Sequence, residues 1–326
     1  MGIFGNSSLV GLDVGSTMMK AVELGNRRGK PVVEHAGIVA MPSGALADGI
    51  LIDRAAVADC IRQLYRNQRL HSKHVAVGLA GEDIFVARVK VERANGDDLA
   101  ELVRREAARL APFPLEGASV DFQVLDTLLN SRWIHALVVA AKPGKVGRLE
   151  DLLREAGKTL EVADSTACAL VNAFEVNYEP APTDVTALVH LGAALMTVCV
   201  VRGSTPLLAK DLSLAPSQFS EEEWSTTDRI AVQLERVFEL MDESADEHPL
   251  EPRSSQIQRL LLSGGNARLR GLREVLEERI HLPHEEMNPF RRIEFEGSDA
   301  LARLVWDHAH CMPVAVGLAL RGFDGT

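Results

Sequence analysis

A chain of 326 residues, 46% of them hydrophobic, can bury a sizeable core and has room for two domains or one elaborate one, which excludes a disordered chain. Its formal net charge of -11 provides no basic stripe of the kind a nucleic-acid backbone requires, so nucleic acid is excluded as the main partner. No apolar run reaches the roughly 18 residues of a membrane span, and the four scattered cysteines, Cys60, Cys168, Cys199 and Cys311, show no C-x-x-C pair, the usage of reduced packing thiols in the cytosol.

The start MGIFGNSS has Asn6 where a myristoylation signal wants Ser or Thr, and it lacks the basic region of a secretory leader. A role at a membrane would therefore need another protein to hold the chain there. Leu9 to Asp13, Met18 to Leu24 and Pro31 to Val39 are short β-branched or alternating runs separated by Gly-rich and basic turns, which predicts a three-stranded meander. Asp53 to Arg69 has apolar residues at helical spacing behind an acidic start, a helix that packs on that meander. HVAVGLAG and IFVARVKV are strands. Gly96 to Leu110 is a helix opened by acids, closed by arginines and ended by APFPLEG.

ASVDFQVL and WIHALVVAAK are strands and Gly144 to Ala156 an amphipathic helix, so the stretch from Ile84 to Gly157 is expected to form a compact α+β unit. TLEVAD is expected as a buried strand, STACALVNAFEV as an apolar helix and NYEPAPTD as a linker. The second half opens with LVHLGAALMTVCVVRGSTPL, which repeats the layout of VGLDVGSTMMKAVELG. Ser217 to Met241 is mainly helical, MDESADEHPLEPRSS a charged loop, and IQRLLLSGGNARLRGLREVLEERI a strand, a Gly turn and a helix. MPVAVGLAL closes the chain. A repeated three-strand opening among alternating strands and helices predicts a duplicated α/β architecture with a cleft between its halves.

A strand that ends in an acid and enters a Gly turn with hydroxyls presents backbone N-H groups to an anion, while the carboxylate holds a hydrated Mg²⁺. Asp13, Gly15, Ser16 and Thr17 make that pattern, with Lys20 reaching back as a point charge; the competing reading is an ordinary hairpin whose Asp caps its own turn. His190 and Gly192 stand at the matching positions of the repeat, and Gly264, Gly265 and Asn266 form a third turn on which an adenosine could lie. The histidines of HSKH (His71, His74) and HAHC (His308, His310, beside Cys311) form no four-ligand set of recognised spacing and read as solvated or packing residues.

In order along the chain, LDVGSTMMKAVEL, EAARLAPFPLEGASVDFQVL, LEVADSTACALVNAFEV, LLSGGNARLRGL, Asn288 to Phe290 and VAVGLALRGFD resemble the type IV pilus assembly protein PilM family, itself similar to the cell-division protein FtsA. The resemblance covers most of the chain and implies an α/β actin-like fold, a duplicated ribonuclease H-like design with an FtsA-type inserted α+β subdomain. It implies a first subdomain at 1–83 and 158–182 with 312–326 packing back on it, an inserted subdomain at 84–157, and a shortened second half at 183–311. It also implies ATP with Mg²⁺ in the cleft, Asp13 holding the metal through water. The implied partner is the cytoplasmic tail of the inner-membrane protein PilN, bound between first and inserted subdomains, where Arg104, Arg105 and Phe113 are the candidate contacts. The protein would be cytoplasmic, peripheral to the inner membrane, a ring-forming link to the assembly motors.

Three departures from the family pattern bear on chemistry. His190 stands where the family has an Asp, Thr166 where it has a Glu facing the cleft, and the segment from Lys210 to Trp224 is short by roughly two helices of the base pocket. These departures favour a scaffold with weak or lost nucleotide binding and no catalytic residue. The alternative is an active ATPase whose nucleotide state controls partner choice. A sugar kinase of the related hexokinase-type fold would need a catalytic Asp and a sugar pocket that the sequence does not offer.

Overall fold

The computed structural model describes residues 9–47, 50–92, 98–125, 133–215, 225–247, 253–296 and 299–323. Strands β1 (Val10–Val14), β2 (Met18–Arg27) and β3 (Lys30–Ala40) form the expected antiparallel meander, and the tight β2 to β3 turn puts Arg28 and Gly29 at positive φ, as a two-residue hairpin requires. A two-stranded hairpin, β4 (Leu46–Ala47) and β5 (Ile50–Leu51), leads to helix α1 (Arg54–Gln68). The Asp53 side chain caps that helix by accepting the Ala56 N-H, and Arg69 ends it in the left-handed conformation.

Next come β6 (His74–Leu79), β7 (Ile84–Glu92), α2 (Leu99–Leu110), β8 (Ser119–Val124), β9 (Trp133–Ala141), α3 (Lys145–Glu155), β10 (Thr159–Ser165) and α4 (Thr166–Tyr178). The second half holds β11 (Val185–Leu191), β12 (Leu195–Arg202), β13 (Thr205–Ser213), α5 (Thr226–Glu247), β14 (Arg259–Ser263), α6 (Leu272–Arg279), β15 (His284–Glu286), β16 (Glu294–Phe295), α7 (Asp299–His308) and α8 (Pro313–Leu320). Two sheets carry the duplication. The first has the order β10-β6-β1-β2-β3-β16 and the second β13-β12-β11-β14-β15, so each sets an antiparallel meander beside parallel strands in the same succession.

Alternation along the strands sends side chains to three cores. The outer face of the first sheet (Val10, Leu12, Met19) packs on α1 and α3, and the outer face of the second (Ala187, Val189, Leu191) on α5 and α6. Between the sheets lie α4 and α8, whose residues Leu170, Phe174, Val314 and Leu318 meet Val22 on one side and Leu188 and Leu261 on the other. Helix α8 is apolar all round because it is covered all round.

Four local expectations are corrected. The acidic stretch from Met241 to Glu247 is the end of α5, because Met241 and Ala245 continue the buried stripe of Ile230, Leu234 and Val237. Residues 216–224 and 248–252, which hold the start of the predicted helix and the rest of the charged loop, lie outside the described residues. β10 is an edge strand with Thr159, Glu161 and Ala163 exposed, where a buried strand was expected. Asn177 and Tyr178 belong to α4 and fasten the later chain, Asn177 Oδ1 accepting the Arg292 N-H at 3.1 Å and the Tyr178 hydroxyl the Asn288 N-H at 2.9 Å. Finally, α3 packs on the first sheet through Leu152, Leu153 and Ala156 and touches the β7-β9-β8 sheet only at its Ile84 and Ala141 end through Val146 and Leu149, while α2 covers that sheet with Val103 and Ala107 against Phe85, Val89 and Val138.

Candidate functional site

The two hairpin turns are built alike. Gly15 N-H donates to Met18 O at 3.2 Å and Gly192 N-H to Leu195 O at 2.9 Å. A Cβ on either glycine would sit 2.8 Å from that same carbonyl oxygen, too close for any other residue without displacing the turn. The third turn follows β14: Asn266 Nδ2 donates to Gly192 O at 2.7 Å, bracing the second hairpin, and Gly265 approaches Met18 of the first.

These turns face one cavity of about 600 Å³, a size suited to a small-molecule ligand. Asp13, Gly15, Ser16, Thr17 and Lys20 line it from the first sheet, His190 and Gly192 from the second, and Gly265 and Asn266 from the third turn. Gly264 lies behind the wall, its N-H donating to His310 O at 2.7 Å. Thr166, at the start of α4, is also in the lining, whereas Asp164 is drawn to Arg321, 3.5 Å away.

Register explains the electrostatics. Asp13 and Lys20 are direct cross-strand partners, and Lys20 Nζ donates to Asp13 Oδ2 at 2.9 Å with both side chains largely buried. Opposite them, Ser263, His190, Thr197 and Asp211 make a row across four strands of the second sheet. His190 Nδ1 is 3.0 Å from Ser263 Oγ. Burial pushes the imidazole down to about 4, Asp13 opposing and Lys20 adding to the effect, so His190 is neutral near pH 7. The Thr197 hydroxyl donates to Asp211 Oδ1 at 2.5 Å, and Asp211 Oδ2 accepts the Gly81 N-H at 2.9 Å, tying the second sheet to the β6–β7 connection. Burial pushes the Asp211 carboxyl up, against the pull of these two donors.

Sequence reasoning missed the contribution of α3. Lys145 and Arg148 line the cavity from its first turn, and Asp83 joins them. Burial raises the Asp83 carboxyl, but Lys142 at 3.1 Å and Lys145 at 3.3 Å hold it below its ordinary range. Arg148 makes no ion pair among the described residues. Basic residues in a helix's first turn, where the macrodipole favours acids, were the available signal.

The backbone N-H groups, hydroxyls and cations of this lining fit a phosphate-bearing ligand. They fit a carboxylate-organised Mg²⁺ poorly, because Asp13 and Asp83, the carboxylates in the lining, are both paired with lysines, and the neutral imidazole of His190 replaces a hard oxygen donor. The candidate partner contacts divide. Arg104 and Arg105 are exposed on α2, but Phe113 is buried in the core beneath that helix, with Lys142 Nζ 5.6 Å from its ring centre. All four cysteines are free thiols.

Two matching sheets, each opening on a phosphate-type hairpin and facing the other across a cleft, define an actin-like ATPase fold. A sequence profile of the type IV pilus assembly protein PilM matches residues 11–228 and 227–323. The chain belongs to that family. Among solved structures, a PilM-PilN type IV pilus biogenesis complex is 24% identical, with 98% of this chain and 100% of that chain covered and a TM-score of 0.78. A Bacteroides thetaiotaomicron protein of unknown function with an actin-like ATPase fold is 11% identical over 98% of each chain, with a TM-score of 0.54. Among the described residues, no helix is long and apolar enough to cross a membrane.

Proposed function

We propose that the protein is a cytoplasmic, actin-like scaffold of the type IV pilus inner-membrane alignment complex, with weak nucleotide binding and negligible hydrolysis. It binds the cytoplasmic tail of a PilN-like membrane protein, is thereby peripheral to the inner membrane, assembles as a ring, and links that protein to the assembly motors. Membership of the PilM family supports the pilus role, and the fold shared with a PilM-PilN complex supports the partner. The single observation that carries the non-catalytic reading is His190, buried and neutral opposite a lysine-paired Asp13.

In this reading the FtsA-type inserted subdomain spans 84–157, between a first subdomain at 1–83 and 158–182 and a shortened second half. The tail docks where the inserted subdomain meets the first, and Arg104 and Arg105 contact it, with Phe113 supporting the α2 surface from below. Any nucleotide lies on Asp13, Gly15, Ser16, Thr17, Lys20, His190 and Gly192, with its base toward Gly264, Gly265 and Asn266. Asp13 would hold a Mg²⁺ only through water and only after releasing Lys20. Titration of a labelled tail peptide tests the docking: reversing charge with Arg104→Glu and Arg105→Glu should weaken binding markedly, and unchanged binding by that double variant rejects the assigned surface. Isothermal titration with Mg-ATP tests the cleft. Tight binding with steady phosphate release would replace the scaffold reading by that of an active ATPase.

A further inference from the structure

Glu23, His35 and His71 converge on the face of β2 opposite to Lys20. Glu23 and His35 are direct cross-strand partners on β2 and β3, and His71 arrives from the connection between α1 and β6, just after the left-handed turn at Arg69. The backbone N-H groups of His71 and Ser72 donate to the two Glu23 carboxylate oxygens at 2.8 and 2.9 Å, which pins the carboxylate against this loop. The His35 and His71 rings meet edge to face with centroids 4.7 Å apart. One nitrogen of each ring and one Glu23 oxygen lie within 4.8 Å of one another.

We propose that these three residues bind a divalent transition-metal ion of the zinc class, at a site separate from the cleft. Two imidazoles and a carboxylate suit Zn²⁺, Co²⁺ or Ni²⁺, whereas Mg²⁺ and Ca²⁺ take oxygen donors. Glu23 is 1% exposed, His35 half-buried and His71 exposed, so the cluster is closed on the sheet side and open to solvent on the loop side. Its ring nitrogens accept or donate no hydrogen bond among the described residues, which leaves both imidazoles able to coordinate. A carboxylate offers about four lone-pair sites, so accepting these two N-H bonds is compatible with ligating a metal. Zinc bonds of about 2.0 Å set tetrahedral ligand atoms about 3.3 Å apart, a closure that rotation of the exposed His71 ring can provide. A water completes the shell from the open side. The ion would offset a buried carboxylate's charge and staple the α1–β6 connection to the meander. Neighbouring His74 is engaged elsewhere, with Nδ1 2.9 Å from Glu161 Oε2.

The test is calorimetric titration of the chelator-stripped full chain with Zn²⁺, paired with visible absorption of the Co²⁺-loaded protein. One saturable Zn²⁺ per chain is expected, with a raised Tm and a Co²⁺ spectrum free of thiolate charge-transfer bands. His71→Ala keeps the backbone N-H that holds Glu23, so it removes a ligand while leaving the loop anchored; it and His35→Gln should each weaken Zn²⁺ by at least about 10-fold. His74→Ala should change nothing. The proposal is overturned if wild type shows no saturable site, if both His71→Ala and His35→Gln bind as wild type does, if His74→Ala abolishes binding, or if the Co²⁺ spectrum shows thiolate ligation.

Discussion

Acid should destabilise this protein in part through His190. His190 titrates near 4 when folded, because burial excludes the charged imidazole, against an ordinary value of 6.5. Between these values the unfolded chain binds the proton and the folded chain does not, so the contribution to stability is whole above the unfolded value, shrinks as pH falls below it, and levels off beneath the folded value. At about pH 5 the unfolded imidazole is almost fully protonated and the folded one about one-tenth so, a ratio of roughly 30 in the binding terms and about 2 kcal/mol. Asp13 and Lys20 face the ring in wild type and variant alike, so a comparison of the two proteins isolates the imidazole. Urea unfolding at about pH 7 and about pH 5 should show wild type losing about 2 kcal/mol more than His190→Asn, whose amide still reaches toward Ser263 and carries no proton in this range. The cost of the substitution itself is present at both pH values and cancels. Equal losses in the two proteins would refute the claim that His190 is held neutral.

Three further outcomes are expected. Wild type should release phosphate from Mg-ATP at background rates, and His190→Asp with Thr166→Glu should raise Mg²⁺-dependent nucleotide affinity by about 10 to 100-fold; no gain in the double variant would refute the claim that these two positions limit the cleft. Gly15→Ala and Gly192→Ala should each cost about 1–3 kcal/mol by overpacking the same turn geometry, read from denaturant midpoints, and strongly unequal losses would deny that the hairpins are structural equivalents. Phe174→Ala removes a fully buried ring from the core between the sheets and should cost about 3–5 kcal/mol in the same assay, a loss under about 1 kcal/mol being the contrary result.

Much of the fold is legible because its signals are local. Period-two alternation marks both meanders, the Asp53 cap and the Arg69 end bound α1, and the Gly turns declare themselves by composition, so both hairpins and the third turn could be read before any strand was paired. The repeat also shows His190 standing where the first hairpin has Asp13. What remained undecided needed distances between residues far apart in the chain. Whether His190 carries a charge depends on burial under a second sheet and on a Lys20–Asp13 pair 170 residues upstream. The allegiance of α3 depends on which core receives Leu152 and Leu153, the length of α5 on an apolar stripe running through acidic sequence, and the meeting of Glu23, His35 and His71 on strand register. Sequence pattern determines which way each element turns its faces; electrostatic energy and ligand geometry depend on what those faces meet, and only tertiary packing decides that.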